Sequence, residues 1–152
     1  MRIIAGPCQH ESLEQSLEIA SHCSDVCSKY EIDYIFKASF DKANRTKLKN
    51  YRGVGFEKSI EIFQKVKEKI GVNICTDFHE PWQANKIKEV VDIIQIPAFL
   101  CRQTDMLVAA AKTNRIVNIK KGQFIAGSDT ERVVNKVKDS GNNKIFLTER
   151  GN

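Results

Sequence analysis

Strand-like apolar runs alternate with amphipathic helical patterns along the whole chain, roughly every 20–35 residues, and this alternation most narrows the possible folds. A strand reaches a parallel neighbour only through a long crossover, usually a helix, so the pattern predicts βαβ units and a parallel sheet. Arg2 to Cys8 opens with Ile3, Ile4 and Ala5 as the first strand. Ser12 and Gln15 stand at capping-box spacing before a helix bearing Leu13, Leu17, Ala20 and Cys27, with Ile19, Cys23 and Val26 beside them. Asp33 to Phe40 is the second strand, and Lys42 to Gly55 lacks an apolar period and reads as a loop. Phe56, Ile60, Phe63, Val66 and Ile70 restore the helical period, which Gly71 ends. Val72 to His79 is the third strand, and Pro81 opens a helix with Trp82, Ile87, Val90 and Val91. Asp92 to Ala98 is the fourth strand. Thr104 is placed to cap a helix through Met106, Leu107, Ala110 and Ala111. Ile116 to Phe124 is the fifth strand, carrying Lys120 and Lys121. Ser128 and Glu131 form a second capping-box pattern before Val133, Val134 and Val137, and Lys144 to Thr148 is the sixth strand.

The polar residues gather where these strands end: Cys8, the stretch Lys37 to Arg45, Asp77 and His79, Pro97 and Ala98, Lys120, and Arg150. In a (β/α)8 barrel that face carries the chemistry. A doubly wound sheet also binds ligands at strand C-termini, but usually through a glycine-rich phosphate loop, and neither G-x-G-x-x-G nor G-x-x-x-x-G-K-[ST] occurs. The missing glycine-rich loop favours one (β/α) barrel domain, of which six strands are read in this chain.

Lys37-Ala-Ser-Phe-Asp-Lys-Ala-Asn-Arg45 puts three cations within nine residues, interleaved with Ser39, Asp41 and Asn44. A strand end turning into such a loop suits a small anion, because Arg offers a planar fork to phosphate and Lys a point charge. The alternative is a solvated basic loop. Lys120 alternates with Asn118 and Gly122. A lysine in an apolar strand either meets an anion or points out and snorkels. Arg150 poses the same choice. Cys8, after Gly6-Pro7, suits a metal, a nucleophile or simple packing, and spacing alone favours packing. Asp77 and His79 suit proton transfer, or a polar plug. His10 and His22 are assigned no role.

Five cysteines, an odd number without a Cys-x-x-Cys, argue against a disulfide framework, and Cys23 and Cys27 share a helix face as packing groups. No apolar run approaches the roughly 20 residues that span a bilayer, and the N-terminus lacks a secretory core, so a cytoplasmic protein is expected. The net charge of +5 suits phosphorylated small molecules as well as nucleic acid. Lys42, Arg45, Lys47, Lys49 and Arg52 with Tyr51 are the best nucleic-acid patch, but most other basic residues mix with acidic ones on helices. No nucleic-acid partner is expected.

Taken together, Ile4-Ala-Gly-Pro-Cys-Gln9, Phe36-Lys-Ala-Ser-Phe-Asp-Lys-Ala-Asn-Arg45, Thr76-Asp-Phe-His-Glu80, Gln95-Ile-Pro-Ala-Phe-Leu-Cys-Arg-Gln-Thr-Asp105, Asn118-Ile-Lys-Lys-Gly-Gln-Phe124 and Leu147-Thr-Glu-Arg-Gly151 resemble the 3-deoxy-D-manno-octulosonate 8-phosphate synthases. The resemblance implies a (β/α)8 barrel that condenses phosphoenolpyruvate with arabinose 5-phosphate for lipopolysaccharide synthesis. It implies Lys37 and Lys42 as partners of the phosphoenolpyruvate carboxylate. Lys120, Arg150 and the Ala98 N–H, after Pro97, would cradle its phosphate, with Gln95 and Arg102 nearby. Asn44 would meet the sugar, and Arg45 with Thr46 would hold the sugar phosphate. The family usually has Ser where Thr46 stands, and Thr keeps the hydroxyl. The related 3-deoxy-heptulosonate 7-phosphate synthases share the Gly-Pro-Cys opening but carry Lys-Pro-Arg-Thr in place of Lys42-Ala-Asn-Arg45.

By that resemblance Cys8 implies the metal-dependent type, against the spacing-based preference for packing. The other ligands of that divalent metal, a His, a Glu and an Asp, belong to later strands. A full barrel needs about 250 residues, so the resemblance points to a piece of a longer enzyme, a truncated and inactive reading frame, or a chain completed by another. It also implies a homotetramer, with Arg102 reaching a neighbouring subunit's sugar-phosphate site.

Overall fold

A computed structural model of the protein describes residues 1–151. Strands and helices alternate as expected: β1 (Arg2–Gln9), α1 (Leu13–Lys29), β2 (Asp33–Ser39), α2 (Phe56–Ile70), β3 (Asn73–Asp77), α3 (Pro81–Ile87), β4 (Ile93–Ile96), α4 (Thr104–Ala111), β5 (Ile116–Lys120), α5 (Thr130–Asp139) and β6 (Ile145–Thr148). The fold is α/β with parallel strands, consistent with a partial TIM barrel. The chain divides into two compact units, Met1–Thr76 and Asp77–Asn152.

In the first unit β1 pairs with β2 and β2 with β3, all parallel. Ile35, Phe36, Ile62, Phe63 and Ile74 are among its fully buried side chains, each contributing about 1.5–3 kcal/mol by leaving water. The α1 cap forms as read: Ser12 Oγ accepts from Gln15 N at 3.1 Å. The reciprocal bond of a capping box is replaced, because the Gln15 amide donates to Glu11 at 3.3 Å. Gly71 closes α2 in the left-handed region at φ 75°, as a C-terminal glycine should. On α2 the deepest face runs through Ser59, Ile62, Phe63 and Val66, a slight rotation from the expected stripe.

β1 is irregular where its sequence is special. Its register with β2 shifts between Ala5 and Cys8. A Cβ on Gly6 would lie 2.0 Å from the Lys37 carbonyl oxygen, so only glycine lets β1 pass β2 there. Cys8 takes φ 64°, rare for a side-chain-bearing residue, and so turns out of the regular pleat.

In the second unit β4 pairs with β5 and β5 with β6, again parallel and in sequence order. All four residues of β4 are buried, as in a parallel strand covered on both faces. Several local expectations are corrected here, among them α3, which ends at Ile87 and leaves Val90 and Val91 beyond it. Thr104 lies inside α4, with Gln103 at the cap position, because its hydroxyl is taken by Lys136 Nζ at 2.7 Å. Ser128 sits in a 3-10 turn, and α5 starts at Thr130, whose hydroxyl donates to Gly127 O at 2.6 Å. β5 ends at Lys120 rather than running to Phe124, because Lys121 turns into a cage of backbone carbonyls.

Candidate functional site

The strand ends of each unit carry a group of polar residues. In the first unit the centre is Ser39, fully buried at the end of β2. Its Oγ accepts from Lys37 Nζ and from Lys42 Nζ, both at 2.9 Å. A hydroxyl oxygen has two lone pairs, and both are spent on ammonium groups. Two like charges held on one small atom repel each other, so an anion placed against them is strongly favoured. Cys8 joins this group. Its thiol is held below the ordinary value by a hydrogen bond from Lys42, opposed by partial burial and assisted by the charges of Lys42, Lys37 and Arg45.

The basic loop is fastened rather than waving. Arg45 donates to Gln9 Oε1 at 2.7 Å and to Tyr51 O at 3.2 Å. The Lys42 N–H donates to Arg52 O at 2.6 Å, and the Arg52 guanidinium forks onto Asp41. Three cations of the best nucleic-acid patch, Lys42, Arg45 and Arg52, are thus held by protein partners. Asn44 and Thr46 lie exposed on the same loop.

Sequence reasoning gave His10 no role. It is fully buried, with its ring 4.4 Å edge-on from Phe63 and 6.0 Å from Phe36. Ser16 donates its own proton to Ser12 O at 2.8 Å, so it accepts from His10 Nδ1 at 2.9 Å. That leaves Nε2 bare and without a hydrogen-bond partner. Burial, with the charge of Lys37, pushes the imidazole down to about 4. His10 is therefore a neutral wedge whose backbone N–H ties to Ser39 O at 3.2 Å. No sequence signal marked it, because burial of a lone histidine depends on residues far along the chain.

In the second unit Asp77 ends β3, and His79 Nε2 lies 3.4 Å from its Oδ2. The His79 and Glu80 N–H groups both donate to Gln83 Oε1, at 2.8 and 3.1 Å, which fixes the backbone beside that pair. Gln95, Asn118 and Thr148 link three strand ends: Asn118 Nδ2 donates to Gln95 Oε1 at 3.2 Å, and Thr148 Oγ1 to Asn118 Oδ1 at 2.8 Å. Pro97 and Ala98 follow β4 directly, and the Ala98 carbonyl lies where a Cβ on Gly122 would meet it at 3.0 Å. Lys120 is half-buried at the end of β5, in register with Thr148. Arg150 lies two residues beyond Thr148 and is exposed. Arg102 is exposed and lines a cavity of about 240 Å³ with Arg132, Lys136 and Asp129.

Cys8 would supply one donor to a divalent metal, and a thiol held below its ordinary value suits that role. Among the described residues no group of three or more His, Cys, Asp or Glu side chains comes together as a metal-holding set. Cys8 fits as a single ligand only.

A family model described as the DAHP synthetase I family matches residues 1–152. The chain belongs to that family. Within it, proteins named 2-dehydro-3-deoxyphosphooctonate aldolase from Cyanothece sp. and Fusobacterium nucleatum are each 52% identical to this chain over 149 residues. A protein of the same name from Brucella anthropi is 50% identical over 149 residues. These matches cover 98% of this chain but only 55%, 54% and 54% of the relatives, in that order. The chain spans about half the length of the curated relatives it matches. Their names agree with the synthase resemblance carried by the six strand-end motifs.

Proposed function

We propose that the complete protein condenses phosphoenolpyruvate with D-arabinose 5-phosphate and water, giving 3-deoxy-D-manno-octulosonate 8-phosphate and phosphate, in the cytoplasm. The observation that carries this reading is the paired Lys37 and Lys42 ammonium groups on Ser39 Oγ, a cradle for a carboxylate. Relatives at about half identity bear the octulosonate aldolase name, which favours this reading over a heptulosonate synthase. So does Lys42-Ala-Asn-Arg45, which differs from the heptulosonate pattern.

In this reading carbon 3 of the enol attacks the sugar aldehyde while water adds at carbon 2. The tetrahedral adduct then expels phosphate. Lys37 and Lys42 neutralise the carboxylate, and Ser39 holds them. Lys120 and Arg150 neutralise a phosphate, with the Ala98 N–H and Gln95 assisting. Arg45, braced by Gln9, and Thr46 take the sugar phosphate, and Asn44 takes a sugar hydroxyl. Asp77 and His79 move or hold the proton of the attacking water. Cys8 would be one ligand of a divalent metal, which when bound orients the water or polarises the aldehyde. The enzyme is proposed to be a homotetramer, with Arg102 serving a neighbouring subunit.

Substituting Lys120→Ala in the full-length protein should abolish phosphate release from the two substrates. Near-normal turnover would overturn the assignment. A second reading rests on the chain spanning about half of its relatives: an inactive remnant that keeps anion binding. Phosphoenolpyruvate binding without phosphate release on adding arabinose 5-phosphate would select it.

A further inference from the structure

We infer that Lys121 is a positioning residue: its buried ammonium staples the loop after β5 to the segment after β6 and so sets the spacing of Lys120 and Arg150. The inference deepens the proposed function and rests on its assignment of those two residues to a phosphate.

Lys121 is only 5% exposed. A buried ammonium is costly unless its three N–H donors find acceptors. Lys121 Nζ donates to backbone carbonyls among the described residues: Gly122 O and Ile125 O at 3.2 Å, and Gly151 O at 3.3 Å. Two belong to the loop after β5 and one to the segment after β6. Glu149 Oε1 stands 3.9 Å away, and the same oxygen accepts from the Arg150 and Gly151 N–H groups at 2.9 and 2.6 Å. The Lys121 N–H adds a bond to Thr148 O at 3.0 Å.

The residues on either side of this staple are the cations that matter. Lys120 precedes Lys121 and pairs in register with Thr148. Arg150 lies between Glu149 and Gly151, both of which face the Lys121 ammonium. Successive residues leaving a strand point to opposite sides, so Lys121 secures the two strand ends from one side while Lys120 serves the other. A carbonyl cage of this kind recognises a primary ammonium by its three donors. A neutral side chain of the same length would fill the space but release both loops.

The test is hydrogen exchange at 121–126 and 149–151, with calorimetric titration of phosphoenolpyruvate, in the wild-type chain, Lys121→Met and Lys121→Ala. Lys138→Met is the control, on α5. In Lys121→Met, exchange in both segments should rise at least tenfold and affinity fall at least tenfold, with far-ultraviolet dichroism unchanged. Millimolar n-butylammonium should slow exchange again in Lys121→Ala but not in wild type. The milder Glu149→Ala should loosen 149–151 alone, which keeps the inference open to test if Lys121 variants fold poorly. Exchange within twofold of wild type in Lys121→Met, or loosening by Lys138→Met to the same degree, would overturn it. So would unchanged affinity in Lys121→Met beside a binding wild type. If wild type itself binds no phosphoenolpyruvate, the anion-binding part of the proposed function fails for this chain, and the exchange and rescue results alone decide the staple.

Discussion

Acidification should destabilise the first unit through His10, and the size of the effect follows from its surroundings. The imidazole ordinarily titrates at 6.5 and is pushed down to about 4 in the fold. Between those values the unfolded chain binds a proton that the folded chain refuses. Stability is therefore full above pH 6.5 and falls as pH drops toward 4. The drop from 6.5 to about 4, at about 1.4 kcal/mol for each tenfold change in proton affinity, gives a ceiling of about 3.5 kcal/mol. The cause is visible in the packing: Nε2 has no acceptor, the ring touches Phe63, and Lys37 adds a like charge. His10→Phe keeps a ring of similar size and cannot titrate. Urea unfolding of both proteins at pH 7, 6, 5 and 4 cancels every other titrating group in the difference. The wild type should lose about 2–3 kcal/mol more than the variant across that range. Parallel pH profiles would show that His10 is not buried in its neutral form.

Gly6→Ala should cost about 1–3 kcal/mol or more, because its Cβ would lie 2.0 Å from the Lys37 carbonyl; a urea midpoint equal to wild type would contradict the close β1–β2 approach. Gln9→Leu should free the Arg45 guanidinium from its 2.7 Å partner and weaken arabinose 5-phosphate binding severalfold, with phosphoenolpyruvate binding unchanged, by calorimetry. In the full-length protein a chelator should abolish turnover, and Cys8→Asn should restore part of it without metal; Asn tolerates the φ of 64° found here. Full activity in chelator would remove Cys8 from a metal.

The alternation of strands and helices was legible because parallel strands and amphipathic helices leave periods that need only local residues. The strand ends were legible too, since Lys37, Asp77 and Lys120 each follow an apolar run directly. Helix starts were less so. Ser12 caps as its spacing suggests, yet Thr104 and Ser128 do not, because Lys136 and the Gly127 turn take over locally. Lys121 shows the same limit in stronger form. The sequence places it beside Lys120 in the fifth strand with no role of its own, and only the return of the chain at Gly151 makes it a buried staple. His10 was silent for a similar reason, since Phe36 and Phe63 reach it from distant positions. Ser39 was legible as a polar residue in a basic stretch, but not as the shared acceptor of two lysines.

The most direct measurement is calorimetric titration of phosphoenolpyruvate into the wild-type chain and into Ser39→Ala. Ser39→Ala removes a hydroxyl oxygen that accepts from both ammonium groups. Salt-sensitive binding by wild type, weakened at least tenfold in the variant, is the expected result. No binding by wild type, or equal affinity in both, would contradict the claim that Lys37 and Lys42 form an anion cradle on Ser39.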